Sequence, residues 1–257
     1  MASVLCKIED REFEPVLACA GVTTSGDVRC RRVVDGEGRP ILLWMHRMAP
    51  GASIVWDRPP QDHAIYVWEG QAFAGRDRIS ADEAYIVEHG GRGGIEARDV
   101  PVEVLHFHRP EAHPEPAMRD GGHAHVLAGA AIRRGLDVRH QVGRSLFADA
   151  ACPTCAVWLH GNQLPFGEGA DPHYHNEDEL MVITAGAMKL GRIAHGRGTV
   201  LAIDRQTRYA FKVGEQGLSY INFRPSPPVM FMDGRPPQDE RARLLKALSR
   251  SVPVSIV

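Results

Sequence analysis

Gly167-Glu-Gly-Ala-Asp-Pro-His173-Tyr-His175-Asn-Glu-Asp-Glu179-Leu-Met-Val-Ile-Thr-Ala-Gly186 is the stretch whose reading decides the fold of this chain. It places two imidazoles and a carboxylate at odd-numbered positions. In an extended strand, residues of equal parity share a face. The spacing therefore predicts one extended segment that points His173, His175 and Glu179 the same way, with Met181 and Ile183 as an apolar floor behind them. Two neutral imidazoles and one carboxylate on one face form a metal triad that suits Fe(II) and can also hold Mn, Ni or Zn. Gly167 and Gly169 are placed to let the chain turn into the strand, and Gly186 to let it turn out.

The rest of the chain bounds the alternatives. Its 257 residues are enough for one large domain or two ordinary ones. An apolar fraction of 44% and a charged fraction of 24% belong to a soluble globular protein. With a formal net charge of −2 there is no electrostatic case for nucleic acid or an anionic membrane as partner. No apolar run is long enough to span a bilayer, and the acidic start does not read as a targeting segment, so a cytoplasmic location is expected. Five cysteines, an odd number, argue against a secreted disulfide framework.

A long-period repeat is visible. Tyr66-Val-Trp-Glu-Gly70-Gln-Ala-Phe-Ala-Gly75-Arg76 lies over Ile183-Thr-Ala-Gly186-Ala-Met-Lys-Leu-Gly191-Arg192, and Val104-Leu-His-Phe-His-Arg109 echoes Tyr220-Ile-Asn-Phe-Arg224. Short strands with glycine turns and few helical periods indicate an all-β fold made twice. Boundaries are expected as a first barrel over 1–108, a proline-rich linker over 109–124 and a second barrel over 125–225. A tail over 226–257 would carry a helix near Pro237–Arg250 with a Leu244, Leu245, Leu248 stripe packed on its own barrel.

The motif Gly167-x5-His173-x-His175-x3-Glu179-x6-Gly186 resembles the first conserved motif of the cupin family, and the duplication resembles a bicupin. The family's second motif is met at Gly198, whereas Asp204, Gln206, Tyr209 and Val213 stand where Pro, Gly, His and Asn are usual. The resemblance implies two tandem jelly-roll barrels, one divalent metal per chain with Fe(II) favoured, and dioxygenase chemistry on a small chelating aromatic, diketone or acid substrate. Isomerases, decarboxylases, lyases and hydrolases that use the metal as a Lewis acid share the scaffold, as do binders without turnover. A homodimer is expected from edge-strand pairing.

Around the triad, Tyr209 is the candidate catalytic residue. It is read as a fourth ligand through its phenolate or, preferably, as a hydrogen-bond donor to substrate or a metal-bound water. His160, Tyr220, Asn222 and Arg224 are candidate substrate-binding residues, with Arg224 near its strand end readable equally as a surface charge. In the first repeat Asp57, Pro59 and His63 stand in the triad's places and Gly93 near that of Tyr209, so no metal is expected there. His63 then reads as a hydrogen-bonded barrel histidine. His106/His108 and His123/His125 lack a glutamate four residues on and read as structural, the second pair within the linker. Cys152-Pro-Thr-Cys155 precedes a strand rather than a helix, and no second cysteine pair lies close by, so it reads as a pair of reduced thiols.

Overall fold

The computed structural model describes residues 4–16, 19–35, 40–110, 121–137, 140–149 and 151–249. Among them the chain is β throughout, with one α-helix, Glu240–Leu248. It divides into two compact units. One takes the described residues of 8–132 and 150–157, the other those of 1–7, 133–149 and 158–257.

Both units are antiparallel and share one strand order, the first as two sheets and the second as a single sheet of eleven strands. In the first, one sheet runs Ala124–Leu127, Ala84–Val87, His63–Glu69, Val102–His108, Leu42–Met48, Val28–Val34, Glu14–Pro15. The other runs Val22–Ser25, Ser53–Asp57, Arg92–Ala97, Gln71–Ala74, Asp77–Ser80. Inward residues of both sheets, among them Ile54, Trp56, Ile65, Val67, Ile79, Val87, Ile95 and Val104, form the core. These are the β-branched and aromatic residues that pack best on a pleated surface.

The second unit repeats the order as Val4–Lys7, Thr199–Ile203, Glu179–Leu190, Tyr209–Arg224, Trp158–Leu164, Val142–Ala148, Arg133–Asp137. The repeated glycines hold the same conformations: Gly70 and Gly186 have φ of +81° and +68°, and Gly75 and Gly191 have +61° and +60°. One difference is local. The first unit breaks at Gly70 into two strands, whereas Glu179–Leu190 runs through Gly186 with a register shift. Gly186 therefore marks a bulge rather than the end of the strand, and a Cβ there would strike the Gly217 carbonyl oxygen.

The triad segment is two strands, not one. Gly169–His175 ends at His175, Asn176-Glu-Asp178 turns, and Glu179 opens the next strand. The turn is stapled by polar side chains, since Asn176 Oδ1 accepts from Val229 N at 2.7 Å and Asp178 Oδ1 accepts from Arg205 N at 2.8 Å.

The margins of the units also depart from chain order, and strand edges explain why. Val4–Lys7 pairs with Thr199–Ile203 of the second unit, while Ala124–Leu127 pairs with Ala84–Val87 of the first. The barrels expected over 1–108 and 125–225 thus each lack an edge strand found elsewhere in the sequence, and His125 lies in a strand rather than a linker. Residues 111–120 of the expected linker lie outside the described residues. Nor does the chain leave the barrel after Pro225: Val229–Met232 pairs with the His173–His175 edge. The helix then starts at Glu240, with Asp239 Oδ1 accepting from Ala242 N at 2.9 Å, and buries Leu244, Ala247 and Leu248.

Candidate metal centre

Strand parity sorts the interior of the second unit into an apolar end and a polar end. Along Tyr209–Arg224 the inward positions read Phe211, Val213, Leu218, Tyr220, Asn222, Arg224. Opposite them, Asn162 faces Tyr220 and His160 faces Asn222 across the ladder. Met181, Ile183, Leu201, Val213 and Leu218 pack together at the apolar end. At the polar end a cavity of about 440 Å³ is walled by His160, His173, His175, Tyr209, Tyr220, Asn222 and Arg224.

The triad residues are all buried, at 3% exposure for His173 and His175 and 2% for Glu179. The two imidazoles meet edge to face with centroids 5.0 Å apart, and His173 lies 4.3 Å from the Tyr209 ring, its cross-strand partner. His173 Nδ1 is hydrogen-bonded at 2.7 Å to the carbonyl of Asp171, which leaves Nε2 for a ligand. His175 is driven down to about 4 by burial and by Arg224, so its ring is neutral at pH 7, as a ligand requires.

Glu179 is held differently from expectation. Its Oε2 accepts from Asn222 Nδ2 at 2.7 Å and from Arg224 Nη2 at 2.5 Å, and Arg224 Nε donates to Asn222 Oδ1 at 3.0 Å. Burial would raise the carboxyl, but Arg224, His175, Tyr209 and Asn222 outweigh it and keep the group below its ordinary value. Oε1 is buried and makes no hydrogen bond, as is true of His175 Nδ1. A buried carboxylate oxygen without a partner is costly unless something fills its place. The donor chemistry therefore fits a divalent metal. The spacing is looser than a closed site, because the three donor atoms do not gather within 4.8 Å of one another. Arg224 and Asn222 meanwhile hold the other carboxylate oxygen, Oε2.

Arg224 is thus no surface charge. It is 2% exposed and anchors a three-residue network, so Asn222 and Arg224 act first on Glu179. Tyr209 is pushed well above the ordinary phenol range by burial and by the Glu179 charge, which makes it a neutral donor. His160 accepts from Trp158 Nε1 at 2.7 Å, and Tyr220 packs edge to face on Phe211. Sequence reasoning missed Glu240 and Arg144. The helix brings Glu240 Oε2 to 3.6 Å from His175 Nδ1 and 3.5 Å from Arg224 Nη1, while Arg144 bonds Asn162. Only the acidic first turn of the helix hinted at Glu240.

No sequence-family model and no curated protein matches the chain. Solved structures do. A candidate dioxygenase of Nostoc punctiforme superposes with a TM-score of 0.67 at 10% identity, covering 87% of this chain and 82% of that one. The oxalate decarboxylase of Lactobacillus farciminis, as its formate complex, gives 0.62 at 11% identity over 88% and 87%. A cupin 2 conserved barrel domain protein of Leptotrichia buccalis gives 0.55 at 12% identity over 87% and 96%. The chain has the bicupin fold.

Within this bicupin the first barrel departs from the second at the matching place. Trp56 faces Gly93 across the ladder as His173 faces Tyr209, so Trp56 is the counterpart of His173. Asp57, expected there, lies one residue on and points outward, paired with Arg92 at 2.9 Å. His63 is hydrogen-bonded to His106 at 2.7 Å, and His106 to His46 at 3.0 Å, in a buried row that includes His108. Burial pushes all four down, His46 to about 3 and His108 to about 4, so the bicupin's first barrel holds neutral imidazoles.

Proposed function

We propose that the second barrel is the working part of a metal-dependent enzyme for a small chelating substrate with an anionic oxygen, and that Fe(II)-dependent dioxygenation is its reaction. The observation that carries this reading is the buried, unpartnered Glu179 Oε1, with His173, His175 and Arg224 at the wall of one cavity. His173, His175 and Glu179 would hold the metal. When bound, it supplies a Lewis acid for the chelated oxygens and, as iron, one-electron chemistry with O2.

The chain's own groups do the rest. Arg224 Nη1 is buried and makes no hydrogen bond, its nearest acid being Glu240 Oε2 at 3.5 Å, so a substrate carboxylate would compete with Glu240 for it. Tyr209, kept neutral, donates a hydrogen bond to a substrate oxygen in place of binding as a phenolate. Leu164, Met181, Phe211 and Met230 line the cavity and exclude water from the reacting centre. A candidate dioxygenase and an oxalate decarboxylase among the proteins of similar fold support an enzyme acting on small molecules.

A second reading has its own support. With Arg224 already on Glu179, the barrel could bind a small anion without turnover, or use its metal only as a Lewis acid. Protein purified without chelator should carry about one equivalent of iron or manganese per chain, and His175→Ala should lose it while keeping the fold. Full retention of that iron or manganese in the variant would overturn the site. Oxygen uptake with a panel of catechols, diketones and hydroxy acids tests the reaction, and turnover under strict anaerobiosis would exclude dioxygenation.

A further inference from the structure

Cys152-Pro-Thr-Cys155 reads from the sequence as a reduced pair without a role, yet it lies in the first unit against Glu88. One ligand atom from each of Glu88, Cys152 and Cys155 falls within 4.8 Å of the other two. No other set of three His, Cys, Asp or Glu side chains among the described residues gathers so closely.

Glu88 follows the strand Ala84–Val87 and is completely buried. Its carboxylate is aimed by three donors. Oε1 accepts from Thr154 Oγ1 at 2.6 Å and from His125 Nε2 at 2.8 Å, and Oε2 accepts from His123 N at 3.1 Å. The turn carrying the thiols is fixed independently, since Ala156 N donates to Asp62 Oδ2 at 2.6 Å. Asp62, itself buried, is held in turn by His89 N at 2.7 Å.

Acidic groups therefore converge here: two buried carboxylates and two thiols. Among the described residues no lysine or arginine pairs with Glu88, and the one basic side chain on it is the His125 imidazole. Buried carboxylates are normally matched by a cation. Two sulfurs and one oxygen on a rigid backing select a thiophilic divalent ion over magnesium or calcium.

We propose that Glu88, Cys152 and Cys155 form a binding site for a thiophilic divalent cation, zinc foremost, which fastens the Cys152–Cys155 turn onto the first unit. Binding replaces the two thiol protons, which leave to solvent, and involves no electron transfer. His125 and Thr154 orient the carboxylate ligand, as outer-shell partners of metal ligands commonly do.

The site is tested in the full chain carrying His175→Ala, reduced and freed of metal by a chelator. Co(II) is then titrated in. The expected result is about one equivalent bound with an intense thiolate-to-cobalt charge-transfer absorption, abolished by excess Zn(II), and with both thiols shielded from alkylation. Cys155→Ser and Cys152→Ser should each remove the absorption, and Glu88→Gln should weaken Co(II) binding about tenfold or more. The second-barrel site contains no sulfur, so this signal does not depend on whether that site holds metal. The proposal is overturned if the parent chain gives no thiolate absorption, if the absorption survives in Cys155→Ser, or if the native mass shows the two cysteines joined as a disulfide.

Discussion

Arg224 donates from Nη2 to Glu179 Oε2 at 2.5 Å, with both side chains sealed inside the second barrel. The guanidinium and a divalent metal would compete for the same carboxylate, and each would compensate its charge. Replacing one member of a buried pair typically costs about 3–5 kcal/mol, because the other charge is stranded. Arg224→Gln should therefore destabilise the metal-free protein by roughly 3 kcal/mol, and added Fe(II) or Mn(II) should restore much of the loss. Thermal melts with and without metal check this, and the absence of any recovery would remove Glu179 from the ligand set.

Tyr209 faces His173 across the ladder as a neutral phenol. Tyr209→Phe should keep its metal content, since no ligand is lost. Turnover should fall by about 100-fold if the hydroxyl serves the reacting substrate. Metal analysis beside steady-state kinetics separates the two effects. Loss of metal in the phenylalanine variant would instead make the oxygen a ligand.

Glu240 reaches His175 Nδ1 from the first turn of the helix, at 3.6 Å. A carboxylate behind a ligating imidazole fixes its orientation and raises its basicity. Glu240→Gln should weaken metal affinity by about tenfold, with the helix still capped by Asp239. Competition with a chromogenic chelator measures the change, and an unaltered affinity would make Glu240 a partner of Arg224 alone.

The histidine row of the first barrel predicts acid lability. His46 and His108 titrate at about 3 and about 4 when folded, below the ordinary 6.5 of an unfolded histidine. The unfolded chain thus binds more protons between those values. The stability these neutral rings confer is complete above pH 6.5 and is lost as pH falls toward 4 and 3. Each ring contributes a slope of up to about 1.4 kcal/mol per pH unit. Melting temperature should drop between pH 6.5 and 4.5, and His63→Asn, which removes an imidazole from the row, should flatten that drop. A pH-independent melt across the window would contradict the buried neutral assignment.

Much of this was legible in the residues. The duplicated glycines announced two like barrels, because Gly70, Gly75, Gly186 and Gly191 sit where positive φ is needed. His173, His175 and Glu179 were legible as candidate donors, and the structure buries all three. The assignment of all three to one strand failed because Asn176-Glu-Asp178 bonds to Val229 and Arg205, partners far along the chain. Matching Asp57 to His173 failed by a single residue, which in a strand reverses the face.

What the sequence determined by itself is therefore local: strand alternation, glycine turns, and the identity of the second barrel's candidate donors. Tertiary structure decided the rest. It turned Arg224 inward onto Glu179, brought Glu240 over from the helix, gave Val4–Lys7 and Ala124–Leu127 their strand partners, and set Glu88 against the Cys152–Cys155 turn. The reason is physical. Parity shows which residues share a face, but only the closing of the barrel decides which face is inside. Which distant edges and charges then meet depends on burying unpaired backbone and unmatched charge, and that is a property of the whole fold.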